Sequence, residues 1–129
     1  MVDYLSIEQI LLLHELQIDR FGGSRGLRDR GGLESAAARP AMTFGGEDLY
    51  PDIAAKAAAL MHSIVMNHPF VEGDKRVGIS AAELFLELND VRLGARDKDL
   101  EELTLSVARA ELDAESLAIW FRQRLERAE

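Results

Sequence analysis

The stretch "HPFVEGDKRVG", residues 68–78, crowds an imidazole, two carboxylates, two glycines and two cations into one short loop and the segment it opens. His68 carries an imidazole, the side-chain type suited to taking a proton from a hydroxyl near neutral pH. Glu72 is the type of residue that shares a magnesium ion with phosphates while the ion keeps most of its waters. Gly73 permits a tight turn and exposes backbone N–H groups. Lys75 and Arg76 fall where helical periodicity begins, and cations in a first turn oppose the helix dipole by roughly a few tenths of a kcal/mol each. A bound polyanion reverses that sign, because free N–H groups and full positive charges then converge on it through charge-assisted hydrogen bonds. Phosphoryl or nucleotidyl transfer fits this set. Taken singly, each residue has a plainer reading. His68, Glu72, Lys75 and Arg76 would be ordinary surface groups, and Phe70 and Val71 apolar anchors of the loop. Their close co-occurrence favours the functional reading.

The elements that must hold this loop read as helices. Ser6 with Gln9 has the form of a capping box, and Ile7, Ile10, Leu11, Leu13 and Ile18 recur at helical spacing to about Arg20, where "FGGSRG" stops the pattern. "GGLESAAARP" offers a short helix closed by Pro40, and "AMTFGGEDLY" leaves room for a small hairpin. Pro51 is placed to open a helix through "DIAAKAAALMHSIVMN", and Pro69 disfavours helical geometry at His68 and ends it. "DKRVGISAAELFLELND" resumes the period with Val77, Ala81, Leu84, Phe85 and Leu88, and Asn89 is expected to terminate it in a left-handed conformation. Asp97 is expected to cap a helix bearing Leu100, Leu103 and Val107, and Asp113 another bearing Leu117, Trp120, Phe121 and Leu125. The expected fold is all-α: about six helices around a central motif helix, with one small β-hairpin flap. "DRFGGSRGLRDRGGLE" reads as a solvated, internally paired surface, the alternative being a loop that supports the phosphate site.

A chain of 129 residues is expected to form one domain, residues 1–129, large enough for its own core. Hydrophobic residues at 47% and charged residues at 29% are ordinary for a globular protein and argue against disorder. The absence of cysteine excludes disulfides and thiol catalysis. No apolar run approaches the length of a membrane span, and the N-terminus lacks the basic start and small-residue cleavage site of an export signal, so cytoplasm is the expected location. A net charge of -8 argues against direct binding of nucleic acid, whose nonspecific affinity comes from neutralised phosphates. Charge is uneven all the same: Arg20, Arg25, Arg28 and Arg30 crowd one early stretch, and acidic residues dominate beyond residue 83.

"HPFVEGDKR" resembles the Fic/Doc signature HPFx(D/E)GN(G/K)R, and the lysine before the arginine is similar to the Doc (death on curing) branch. "GLRDRGGLESAAARP", "YPDIAAKAAALMHSIVMNHPF" and "AAELFLELND" extend the resemblance over roughly residues 3 to 92. It implies a Fic fold in which the motif loop and the next helix cradle the phosphates of ATP with Mg2+. It further implies a toxin that moves the γ-phosphate to a threonine of an elongation factor Tu-like translation factor, and a cognate antitoxin whose tail folds into a groove of the toxin. In these terms His68 is the base, Glu72 the metal ligand and Phe70 the loop anchor. Gly73, Asp74, Lys75 and Arg76 contact the nucleotide, Lys75 and Arg76 also stabilising charge in the transition state. "TFGGEDLY" looks like the flap that docks a target peptide. Lys75 stands where AMP-transferring relatives usually have glycine, which places AMP transfer second. Asp74 replaces the family's asparagine, and an ionised carboxylate accepts hydrogen bonds but cannot donate one to a phosphate. It could instead cap the helix, pair with a cation or recruit a second metal ion, and a weakened nucleotide- or antitoxin-binding module is the further alternative.

Overall fold

Helix starts decide most of the architecture. A computed structural model describes residues 1–128. Helix α1 (Ile7–Phe21) begins on the expected capping box: Ser6 Oγ accepts from Gln9 N at 3.1 Å, and Gln9 Oε1 accepts from Ser6 N at 2.8 Å. Helix α2 (Arg30–Ala38) starts at Asp29, whose carboxylate accepts from Gly32 N, and runs into a 3-10 turn over Arg39–Ala41 that buries Pro40. The hairpin then forms as β1 (Thr43–Phe44) and β2 (Glu47–Asp48), antiparallel, with Thr43 opposite Asp48 and Phe44 opposite Glu47. Gly45 and Gly46, at φ 60° and 84°, supply the two left-handed positions that a two-residue turn of matching twist demands.

Helix α3 (Ile53–Asn67) does not open on Pro51. Asp52 is its cap, its carboxylate accepting from Ala55 N at 2.8 Å. A side-chain acceptor satisfies a free N–H group that a first-turn proline would merely omit. Helix α4 (Asp74–Leu88) carries the second half of the motif. Asn89 is not left-handed. Its side chain is taken up by the N-terminal segment, accepting from Asp3 N at 2.9 Å and donating to Asp3 O at 2.8 Å, and the left-handed position falls on Asp90 at φ 66°. Helix α5 (Asp97–Ala108) has Arg96, not Asp97, as its cap, with the Asp99 carboxylate reaching back to the Arg96 guanidinium at 3.1 Å. Helix α6 (Ala114–Arg122) starts as expected at Asp113, which accepts from Ser116 N at 2.8 Å, but it ends before Leu125. Leu125 lies in β4 (Leu125–Arg127), which pairs antiparallel with β3 (Val91–Leu93), a two-stranded ribbon not foreseen from the sequence.

Among the described residues six helices and two small antiparallel pairs therefore make an all-α fold with β ornaments. Helix α3 is buried on every side from Ala54 to Val65 except at His62, as an alanine-rich helix in a core should be. The motif helix α4 lies directly against it, packing Val77, Gly78, Ala81, Ala82, Phe85 and Leu86. Lys56 of α3 is itself buried, with 1% of its surface exposed. Its ammonium group donates to the Tyr50 carbonyl and, at 3.0 Å, to Asp48, so the hairpin is tethered to the core through an internal cation. Beyond that tether Phe44 stands 82% exposed. Among the described residues no helix is long and apolar enough to cross a membrane.

Candidate functional site

The motif loop is clamped from two directions. It leaves α3 at His68, which takes a left-handed conformation (φ 48°, ψ 56°) immediately before Pro69. The Arg28 guanidinium meets the last carbonyls of α3, donating to His68 O at 2.6 Å and Asn67 O at 2.9 Å. Arg28 N and Asp29 N both donate to Pro69 O, at 2.7 and 2.9 Å, and Val71 N donates to Gly26 O at 2.9 Å. The arginine-rich stretch thus divides. Arg25 pairs with Asp19 and Arg30 with Glu34 on exposed surface, as expected, whereas Arg28 and its backbone hold the motif loop.

On the other side stands a residue the sequence reading passed over. His14 of α1 is 2% exposed, donates from Nε2 to the Glu72 carbonyl at 2.8 Å, and stacks on Phe70 with ring centroids 3.8 Å apart and planes 8° from parallel. Phe70 is buried at 1% exposure, in keeping with an anchor. The signal for His14 was present: it continues the buried series Ile10, His14, Ile18, four residues apart, and a histidine inside an apolar face needs a partner.

Gly73 caps α4 at φ 90° and has no side chain to offer the helix start. The caps of α1, α2, α3 and α6 each give an oxygen to their first N–H groups, whereas the start of α4 receives no side-chain cap. Asp74, the first helical residue, turns back into the loop. It accepts from Phe70 N at 2.9 Å, and its other oxygen lies 3.6 Å from His68 Nδ1. Its side chain is 11% exposed, and burial pushes its carboxyl above the usual carboxylate range, against the lowering influence of the Phe70 N–H and of His68. Asp74 is thus not the cap of α4, its carboxylate being committed to the loop.

Lys75 and Arg76 are exposed, and the Arg76 guanidinium covers the Phe21 ring at 4.2 Å from its centroid, with Arg20 at 5.2 Å from the same ring. These residues open a groove of about 680 Å³ between α1, α4 and α5. Gln17 Nε2 donates to Ser80 Oγ at 2.8 Å within it, which gives Ser80 a structural place joining α1 to α4. Its far end carries Glu83, Asp97 and Glu101. Burial, reinforced by Asp97 and Glu87, pushes the Glu83 carboxyl up. The groove therefore runs from a basic mouth at the motif to an acidic end.

His68 and Glu72 share the loop with Gly73 but do not line this groove. The Glu72 carboxylate stands against Gly23, where an added methyl group would meet Oε2 at 2.8 Å. Among the described residues no three His, Asp or Glu side chains converge as a metal cage. A single exposed carboxylate such as Glu72 could share a magnesium ion with phosphates but would not cage one by itself.

Residues 4–86 match the model of a family described as the Fic/DOC family. The chain is 41% identical over 121 residues to the "Toxin Doc" of Mycolicibacterium smegmatis, an alignment spanning 92% of this chain and 90% of that protein. It is 29% identical over 120 residues to the "Protein kinase doc" of Escherichia phage P1, spanning 93% and 94%.

Proposed function

Since the chain belongs to the Fic/Doc family, we propose that it is a toxin of the Doc type that transfers the γ-phosphate of ATP to a hydroxyl of a translation factor resembling elongation factor Tu. The observation that carries this reading is the start of α4: a glycine cap at φ 90°, no side-chain acceptor for the first amides, and Lys75 and Arg76 beside them at the mouth of a groove. That arrangement is unfavourable empty and favourable around a polyanion. Phosphoryl transfer asks mainly for positioning and charge stabilisation, which backbone N–H groups and two cations supply. The relative named as a protein kinase supports γ-phosphoryl transfer over AMP transfer.

In this reading His68 takes the proton of the acceptor hydroxyl, and Lys75 and Arg76 hold the phosphates. Glu72 is the residue that would hold Mg2+, which when bound neutralises developing charge on the phosphate oxygens. The hairpin β1–β2, with its open edges and exposed Phe44, is the surface on which an extended target segment would add as a strand. The reaction takes place in the cytoplasm, where ATP and the translation machinery meet. A cognate antitoxin whose tail lay in the groove between α1, α4 and α5 would cover Lys75 and Arg76 and exclude nucleotide. The deciding experiment incubates the chain with Mg2+, a bacterial elongation factor and ATP labelled at either the γ or the α phosphate. Label from the γ position on the factor is expected; α-label would establish AMP transfer instead, and no label from either would overturn catalysis on this target.

A further inference from the structure

Asp74 departs from the family motif, and its surroundings suggest a positive task. Its Oδ1 closes the loop on Phe70 N at 2.9 Å, which fixes the carboxylate, and its Oδ2 is then 3.6 Å from His68 Nδ1. The His68 backbone is equally constrained, since Arg28 holds its carbonyl at 2.6 Å and Pro69 is tied by two further N–H groups. A separation of 3.6 Å is an ion-pair distance and too long for a hydrogen bond, and such contacts in a free site commonly tighten when substrate arrives.

We propose, resting on the phosphoryl-transfer reading above, that Asp74 is a positioning residue for His68, holding the imidazole with its proton on Nδ1 so that Nε2 is the free base. In the step this serves, the acceptor O–H bond breaks and its proton passes to Nε2. The oxygen's electron pair forms the new bond to the γ-phosphorus as the bond from that phosphorus to the bridging oxygen breaks, releasing ADP. The imidazolium so formed carries its positive charge beside the Asp74 carboxylate, and then loses the proton to water. An asparagine could keep the Phe70 contact through its carbonyl oxygen, but it would then aim its NH2 group at His68. That donor favours an unprotonated Nδ1 and places the proton on Nε2, the nitrogen needed as base.

The test uses the full chain, 15N-labelled, at a pH where His68 is neutral. Long-range 15N–1H spectra report the tautomer of each of the three histidines, and His68→Gln assigns the signal of interest. The wild type is expected to show Nδ1–H at His68, and Asp74→Asn to shift it to Nε2–H. In the γ-phosphate assay Asp74→Asn should lower kcat by about 10²-fold, within the range a positioned base supplies, with KM for ATP little changed. An Nε2–H tautomer in the wild type, or one indifferent to Asp74→Asn, overturns the proposal, as does a rise in kcat. If neither protein transfers label, the tautomer result decides alone. A shift upholds the positioning of His68 by Asp74, and no shift overturns it, so failure of the phosphoryl-transfer reading stays distinct from failure of this one.

Discussion

His14 meets the motif loop twice, through its Nε2–H on the Glu72 carbonyl and through its ring face on Phe70, and the two contacts can be removed separately. His14→Phe keeps a stacked ring and deletes the donor. The lost bond should cost about 0.5–1.5 kcal/mol of stability. Transfer should suffer more, on the order of 10²-fold in kcat/KM, because the Glu72 carbonyl immediately precedes the cap of α4 and small displacements there misplace the phosphates. Urea titration and the labelled-ATP assay measure the two effects, and equal small losses in both would reduce His14 to a packing residue. Phe70→Ala should be costlier to the fold, about 3–5 kcal/mol, since a buried ring leaves a cavity. The proposed reactive set could be picked out because its members are close in the chain: His68, Glu72, Gly73, Lys75 and Arg76 fall within nine positions. His14 is 58 residues from its hydrogen-bond partner, and no local pattern joins them. The tasks of Arg28 and Asp74 were hidden for a related reason. Side chains of their type are usually solvated, and only the path of the loop brings its carbonyls to Arg28 and its Phe70 N–H to Asp74.

Helix α4 meets α3 tightly at Gly78, where an added methyl group would lie 2.6 Å from Val65 Cγ2 and 3.4 Å from the Met61 carbonyl. Neither neighbour has room to retreat, since Met61 and Val65 are fully buried. Gly78→Ala should therefore overpack the crossing and cost about 1–3 kcal/mol, read as a lower urea midpoint with unchanged slope. Gly94→Ala is the control. Its methyl group would run into Glu126 Oε2, but that carboxylate is the end of an exposed side chain that can swing away from its Arg92 partner. A loss at Gly94 as large as at Gly78 would contradict this account of the crossing. The helices could be read from period and caps, which act within a few residues: Ser6, Asp113 and the stop at Pro69 all serve as expected. The pair β3–β4 could not. Each strand has three residues, too few to show an alternation, and Val91 pairs with Arg127 across helices α5 and α6. Asn89 misled for a similar reason, because its side chain is committed to Asp3 at the opposite end of the chain.

Composition made the overall balance of charge plain, a net -8, but it could not place the few basic groups together at one mouth, which takes the packing of α1 against α4. Packing elsewhere in the molecule, around α3, half-buries a titratable group whose pH response belongs to the whole fold. His62 of α3 sits where the 3-10 turn and α6 meet α3. Arg39 Nη1 donates toward its Nδ1 at 3.3 Å and to Ser63 Oγ at 2.7 Å, and the carboxylate of Asp113 caps α6 nearby. Burial, then the Arg39 charge, lowers the His62 pKa, with Asp113 opposing. The unfolded chain thus binds a proton at His62 more readily than the folded one, so stability rises with pH across this group. Its contribution is complete above about 6.5, the ordinary value for histidine, and is lost as the pH falls through the lower folded value. Urea midpoints measured from pH 7.5 down to 5.5 should decline, and His62→Gln should flatten that decline while leaving the midpoint at pH 7.5 nearly unchanged. The raised carboxyls of Asp74 and Glu83 act with the opposite sign, since their protonation favours the folded state on acidification, so they cannot produce the fall. Asp52, lowered by its bond from Arg122, loses its contribution only as the pH drops below the ordinary carboxylate range. A decline that persists in His62→Gln would show that the joint between α3, α6 and the 3-10 turn does not govern the response to mild acid.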